Sequence, residues 1–541
     1  MKFTFDSSPT PAAAPAPTAP ERREKRPVHL VQGRSFMAAE TDRLLAGWKF
    51  DSGFSAQDIA GQLGTIRARS RDMQKNSPHF RKFLLQVATN LVGEGFSFKS
   101  MPQDGPPSAR RLDKQAADFI EYHFWRWSTY RDPLTGRTYA DLTGRKTGPE
   151  IDRMNAKGWA RDGEYFMLIE VADNPYGFAL RVVRPDACDE KYNCARLPNG
   201  NEVVCGVERR PDTQAPVAYY FRTTADHAYV TTPYGGYLTR IPASRVVHVF
   251  TPEDEGQPRG IPWGHAILRK LKMLEEWDTA ELTAARDENC TVRHYESKQG
   301  VGDAEDFTDL QTSDDPADQA VAKAMIQDKA PGQSEIVPYG YELKTSTPQH
   351  PNREVTAFKA TMLRDVASGL GVEYANFAND WAGVSFSSVR LGTISERDFW
   401  MMLQADMISQ DKSRVFMLWL RSFLSLSISG EFPPEKYDKF SEHQFRGRRW
   451  MWVDPMRDMA SAVIARDHGW KTDTDITSDM GGDFGDNIAT IKNETQDVKG
   501  TRLEAKGPVA GGSTPASRAA AILESVAKIT AADEKENQDE D

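Results

Sequence analysis

The sequence is short of cysteine, of long apolar runs and of surplus positive charge, and each shortage removes a class of protein. Four cysteines in 541 residues, Cys188, Cys194, Cys205 and Cys290, are too few for a disulfide scaffold and fit a reducing compartment. Three of them stand close together, but with five and ten residues between them and no paired histidine they lack the spacing of a zinc site and read as buried or incidental thiols. No apolar run approaches the ~18–20 residues that span a bilayer. The N-terminus carries charge and proline where a secretory signal has its apolar stretch, so a chain made in the cytosol with no membrane partner is expected. Lys and Arg number 68 against 78 Asp and Glu, a formal net charge of −10. A protein that coats nucleic acid holds it by neutralising phosphates with clustered cations, so tight wrapping is excluded.

Catalytic signatures are missing too. Thr143-Gly144-Arg145-Lys146-Thr147 lacks the upstream glycine of a phosphate cradle, and neither His-Glu-x-x-His nor Gly-x-Ser-x-Gly occurs. The ten histidines are scattered; His248, inside an apolar strand, reads as a hydrogen-bonded structural residue. Asn379-Asp380-Trp381 offers one carboxylate with no acidic neighbour for acid–base work. Arg67, Arg69 and Arg71 form the densest basic cluster of the body, and residues two apart on a helix face apart, so they read as a solvated turn at the start of a helix. No enzyme, metal or cofactor is expected.

What the chain has is 39% hydrophobic and 10% aromatic content, with 12 Trp and 26 Phe, enough for two to four domains with buried cores. Residues 9–27 hold six prolines and the basic run Arg22-Arg23-Glu24-Lys25-Arg26, so 1–54 is expected to be a flexible arm and N-terminal segment. Residues 496–541 pass through a Gly/Pro linker to an end with six acids among its last nine residues, a flexible acidic tail. Phe80, Phe83, Leu84, Val87 and Leu91 recur at helical spacing before Gly93, and an aromatic helix follows at Ala116–Trp127. Short alternating runs over 163–250, such as Tyr165–Ile169 and Val246–Phe250, predict antiparallel strands, making the class α+β.

From Pro262 the period returns to 3.6, with Trp263, Ile267, Leu271 and Leu274 on one stripe, predicting a helix of about seven turns. Another is predicted from about Asn352, with Phe358, Met362 and Val366 in register until Gly369 and Gly371. A polar loop over Asn376–Ser387 then leads into a very long helix, Ser388 to about Leu426, expected to bend at Gly392. A small helical unit opens after Trp450.

This order of elements resembles the phage portal proteins of the lambda family. The resemblance is carried by Asp162-Gly163-Glu164, by Gly256-Gln257-Pro258-Arg259-Gly260-Ile261-Pro262, and by Val366-Ala367-Ser368-Gly369-Leu370-Gly371-Val372-Glu373-Tyr374. Further on, Ser385-Phe386-Ser387-Ser388-Val389-Arg390, Val453-Asp454-Pro455-Met456-Arg457 and Gly481-Gly482-Asp483 continue it in the same order.

The resemblance implies a portal fold in a homo-oligomeric ring of twelve subunits at one capsid vertex. It divides the chain into a wing of helices and antiparallel β (55–261), a first stem helix (262–290), a clip (291–345) and a second stem helix (346–374). A tunnel loop (375–387), a long kinked wing helix with its connection (388–449) and a helical crown (450–495) follow. Its stem residues would be Trp263, Ile267, Leu271, Leu274, Phe358, Met362 and Val366, and the clip's Asp303, Asp306, Asp309, Asp314 and Asp315 would lie in the partner-binding region. The tunnel loop's Asn379, Asp380, Trp381, Val384, Ser385, Phe386 and Ser387 would face double-stranded DNA during packaging and ejection. Other implied partners are terminase, the head–tail connector, and the major capsid and scaffolding proteins, in a virion protein assembled in host cytoplasm. Two other classes compete: a packaging enzyme such as a terminase or nuclease, and a scaffolding or adaptor protein without a channel. The loop's composition favours a conduit, because it has no Lys or Arg to hold phosphates and Asp380 is its only charge.

Overall fold

The computed structural model describes residues 56–289 except 106–110, 225–227 and 230–235, position 316, the segments 293–297 and 341–345, and residues 355–498 except 383, 427–429, 431 and 452–453. Two helices, α1 (Ala56–Asn76) and α2 (Pro78–Val87), meet at Ser77, whose hydroxyl accepts from the Phe80 amide while Pro78 takes the first turn, where its missing N–H leaves no bond unmade. The chain continues through a π turn at Ala88–Val92, the strand β1 (Ser97–Ser100) and the helix α3 (Lys114–Thr129), which starts on the carboxylate of Asp113. Helix α4 (Gly148–Asp162) opens on a reciprocal capping box of Thr147 and Glu150 and closes at Gly163, whose φ of 86° suits a residue without a Cβ.

Two antiparallel sheets follow. In one, β2 (Glu164–Glu170) lies between β3 (Ala179–Val183) and the later β8 (Val246–Phe250), with Tyr165 opposite Val249 and Phe166 opposite Val183. The other has the order β4 (Glu202–Val204), β5 (Val207–Arg209), β6 (Pro216–Thr223) and β7 (Tyr237–Pro242). Phe166, Leu168, Val183, Tyr219, Phe221 and Val246 fill the space between the sheets. Tyr165, Met167, Leu180, Val247 and Val249, on the opposite face of the first sheet, join the helices in a large core. The central strand is therefore buried on both faces, which is why it reads as an apolar run.

Helix α5 (Leu268–Asn289) and helix α6 (Val355–Leu370) pack on each other through the rings of Trp277 and Phe358, 5.0 Å apart, and the ion pair of Lys359 with Asp278 at 2.8 Å. Between them, β9 (Arg293–Ser297) pairs antiparallel with β10 (Tyr341–Thr345). After a short helix α7 (Tyr374–Ala378), α8 (Phe386–Met407) runs through a π segment at Ile408–Lys412 into α9 (Ser413–Leu424). A strand, β11 (His443–Arg446), pairs with β1, and helices α10 (Pro455–Asp467), α11 (Asp473–Asp479) and α12 (Phe484–Val498) complete the described chain. Trp400, Leu403, Phe416, Trp419 and Phe423 are buried along the long helix, with the Trp419 and Phe423 rings stacked at 4.8 Å.

Four expectations are corrected. The helix predicted from Pro262 begins at Leu268, because 262–267 is folded into tight turns: the Trp263 amide donates to the Ala160 carbonyl and that of Ile267 to Gly264. Trp263 and Ile267 thus precede the helix, and Ile267, Leu271 and Leu274 are buried in the core of the body, with Trp263 packed against it. The loop predicted over Asn376–Ser387 is shorter, since Asn376 to Ala378 are helical and Phe386 and Ser387 open α8. The long helix is interrupted at the π segment and not at Gly392, which lies inside the continuous helix Phe386–Met407 and leaves room for Glu373, whose carboxylate a Cβ there would approach to 2.7 Å. Finally, Arg67 and Arg71 are not a solvated turn. They lie one helical turn apart facing the protein, Arg67 fully buried, and Arg69 alone is exposed.

Candidate channel loop and buried charge hub

The loop between α7 and α8 is held from three sides. Asn379 ends α7 in the left-handed region at φ 57°, a conformation asparagine tolerates, and turns the chain out. The Lys82 ammonium, from α2, bonds both the Asn376 carbonyl and the Asn379 side-chain oxygen, and Gln86 adds a bond to the same carbonyl at 3.1 Å. From α8, buried Glu396 accepts from the Asn376 side-chain amide at 2.6 Å and from the Trp400 indole at 3.1 Å. The far end is capped by Ser385, whose hydroxyl accepts from the Ser388 amide.

The loop's one charge is engaged within the segment. The Asp380 carboxylate accepts from the Tyr374 hydroxyl at 2.6 Å and from the Ala382 backbone amide at 3.2 Å, and these bonds hold the carboxyl below its ordinary range. Trp381, half-exposed, projects with Val384, Ser385 and Ser387 into open space. The structure thus brings together Asn379, Asp380, Trp381, Val384, Ser385 and Ser387; the side chain of Phe386 lies outside the described residues. So do Asp303, Asp306, Asp309, Asp314 and Asp315. Of the residues read as stem, Phe358 is exposed, Met362 half-buried and Val366 buried, while Leu282, on the continuing stripe of α5, is exposed.

Residue spacing alone did not reveal the buried polar cluster around Glu164. Its carboxylate receives Arg67 at 2.6 Å, Arg259 at 2.5 Å, His248 at 2.9 Å and the Gly260 amide at 2.9 Å. Arg259 also donates to the carbonyls of Cys188, Cys205 and Pro185. Burial would raise the Glu164 pKa, but the guanidiniums of Arg259 and Arg67, with His248, hold it well below the carboxylate range. Burial keeps His248 below its ordinary value, stacked between Phe166 and Phe250 as the hydrogen-bonded residue expected. The geometry also requires two glycines: a Cβ on Gly260 would sit 2.1 Å from the Gly163 carbonyl, and one on Gly163 would sit 2.2 Å from the Ile261 backbone. The strings Asp162-Gly163-Glu164 and Arg259-Gly260-Ile261-Pro262 are therefore the two halves of one contact. A sequence signal existed, since a charge at the head of an apolar strand must find partners.

A second buried group sits at the π segment. Lys412 bonds Asp152 of α4, and Asp411 accepts from the Tyr165 hydroxyl at 2.7 Å. Burial pushes the Asp411 carboxyl up to about 6 despite Lys412 beside it. Cys188 and Cys205 are buried thiols, pushed up to about 11 by burial, and no grouping able to hold a metal ion occurs among the described residues. No described helix is long and apolar enough to cross a membrane.

The described body thus presents a buried charge hub and a braced loop whose one charge is bonded internally. Residues 41–404 match the profile of the phage portal proteins of the lambda family, and the chain belongs to that family. A probable portal protein of Halomonas phage phiHAP-1 is 31% identical over 474 residues, covering 86% of this chain and 85% of that protein. Portal protein B of Escherichia phage lambda is 22% identical, covering 86% and 88%. Among solved structures, a chain of the virion of a native gene transfer agent particle aligns with 80% of this chain and 99% of its own at 12% identity and a TM-score of 0.43, a likeness too low to argue from. The reading as a portal protein stands, and with it a mixed helix-and-sheet fold.

Proposed function

We propose that twelve copies of this chain form a ring at one capsid vertex, whose central channel passes double-stranded DNA during packaging and ejection. In that assembly residues 379–385 face the channel, α5 and α6 form the stem, 291–345 reaches out as the clip to terminase and later to the head–tail connector, and α10 to α12 belong to the crown. The sheets and α1 to α4 form the wing, whose outer surface meets the major capsid and scaffolding proteins. The virion is its final location and the host cytoplasm its place of assembly, and no reaction is assigned to it.

One observation carries this reading: the loop projects Trp381 and Val384 without a cation, while its single carboxylate is bonded internally and its base is anchored by Lys82 and Glu396. A conduit needs such a surface, because each fixed cation on a phosphate adds affinity and turns a sliding contact into a trap. The variant Trp381→Lys/Val384→Lys is expected to form normal rings in negative-stain images and to package DNA several-fold more slowly in a terminase-driven assay. Wild-type packaging by intact variant rings would refute the channel assignment, and particles that stay monomeric at high concentration would refute the ring.

A further inference from the structure

A cleft of about 680 Å³ opens between α3, β1 and the start of α4 and reaches the π segment of the long helix, a volume within the range of small-ligand sites. One face of α3 forms a wall. Asp118, Glu121, Tyr122 and Trp125 line the cleft together, because positions three, four and seven residues apart share a helix face. Tyr122 and Trp125 are 52% and 60% exposed. Phe96 and Phe98 add apolar surface, and exposed Glu94 a third carboxylate.

The inner part of the cleft already holds one ammonium group. Lys412 is bonded to Asp152, lies 3.7 Å from Asp411 and sits 6.0 Å from the centroid of the Phe96 ring. A primary amine on an alkyl stem is there met by a ring face and by carboxylates at once. The exposed part repeats these groups without a bound cation. Among the described residues Glu94 and Asp118 have no ion-pair partner, and Glu121 has only Lys99 at 3.9 Å, itself held by Asp486 at 2.7 Å. The neighbouring arginines are engaged elsewhere, Arg126 on the Tyr122 hydroxyl at 2.9 Å and Arg153 on the Gly93 carbonyl at 3.0 Å. Asp118 and Glu121, like charges one turn apart, repel each other until a cation joins them. A quaternary ammonium would meet the rings but has no N–H for the carboxylates, whereas a primary amine serves both and lays its chain on the apolar wall.

We propose that the cleft of α3, β1 and α4 binds a small linear aliphatic amine with two or more ammonium groups, one against Trp125 and Tyr122 with Asp118 and Glu121, another at Glu94. The site belongs to the single chain and does not depend on the ring. The test titrates the full-length protein with spermidine at fixed ionic strength by isothermal calorimetry, and one site per chain is expected. Hydrogen exchange should slow on binding over 94–98 and 118–129 and stay unchanged over α10 to α12. Trp125→Ala should weaken binding about tenfold, and Glu94→Gln/Asp118→Asn by about as much or more. All three positions are exposed, so the variants should melt no lower than wild type. The control Asp212→Asn/Glu255→Gln removes two exposed carboxylates of the β region and should leave the affinity unchanged. Choline should bind about tenfold more weakly than spermidine. No binding, equal weakening by the two double variants, or protection spread beyond the cleft would overturn the site. Tighter binding of choline, or of a tetralysine peptide, would overturn the ligand class, the second in favour of a cationic protein segment.

Discussion

Replacing Glu164 by glutamine tests whether the hub holds the helical and β parts of the body together. The side chain keeps its volume but loses its charge, leaving Arg67 and Arg259, both fully buried, without the carboxylate that each approaches within 2.6 Å. Removing one partner of a buried pair destabilises by about 3–5 kcal/mol, because the remaining charge is left out of water. Residual partners place the expected loss toward the lower end of that range: Arg67 keeps Glu190 at 3.3 Å and the Asp162 carbonyl, and Arg259 keeps three carbonyls. The control is Lys272→Ala, which breaks an exposed pair with Glu276 one turn away on α5 and should destabilise by about 0.3–0.5 kcal/mol.

Urea unfolding followed by tryptophan fluorescence reads both, and Trp159 and Trp263 lie close enough to the hub to report its loss. The pH dependence has a definite sign. The Glu164 pKa is depressed in the folded state, so its stabilisation is complete above its ordinary value of 4.5 and is lost as pH falls through the lower folded value. The gap between wild type and Glu164→Gln should therefore be constant from pH 8 to about 5 and narrow below that. If Glu164→Gln and Lys272→Ala unfold at the same urea concentration, or if the gap widens on acidification, the hub does not contribute as argued.

Asp411→Asn should behave in the opposite sense. Its carboxyl is raised to about 6 by burial, so ionising it opposes folding above that pH; the variant is expected to melt higher than wild type at pH 8 and equally below pH 4, by differential scanning fluorimetry. Lys82→Met removes the ammonium that fastens Asn376 and Asn379, and hydrogen exchange over 376–382 should quicken about tenfold with exchange in α1 to α4 unchanged, since a charged hydrogen bond contributes about 1.5–3 kcal/mol.

Local order was legible where it depended on neighbours in sequence. The periodic apolar residues of α2, α3 and the long helix are the buried ones, and the β region from Glu164 to Phe250 was readable from alternation and turn residues. The start of α5 was not, because Trp263 and Ile267 continue the helical stripe although the turn at 262–267 is dictated by bonds to Ala160 and close packing of Gly264 on Phe80. The interruption at Ile408–Lys412 was equally hidden. No glycine or proline marks it, and it coincides with the distant partners Tyr165 and Asp152 that bury Asp411 and Lys412.

By itself the sequence determined what belongs to composition and to order along the chain: few cysteines, a body of mixed helix and sheet, and a loop with one charge. It also determined the family, through short strings spread over the chain. Only the tertiary structure decided what those strings do. Arg67, Glu164, His248 and Arg259 are separated by up to 97 residues between successive members, yet they share one buried site, and the glycines beside them permit backbone contact that no side chain would allow. Charges buried in an apolar interior are tolerable only when opposite charges and carbonyls converge on them, and that convergence is a property of three-dimensional packing, which local spacing does not encode.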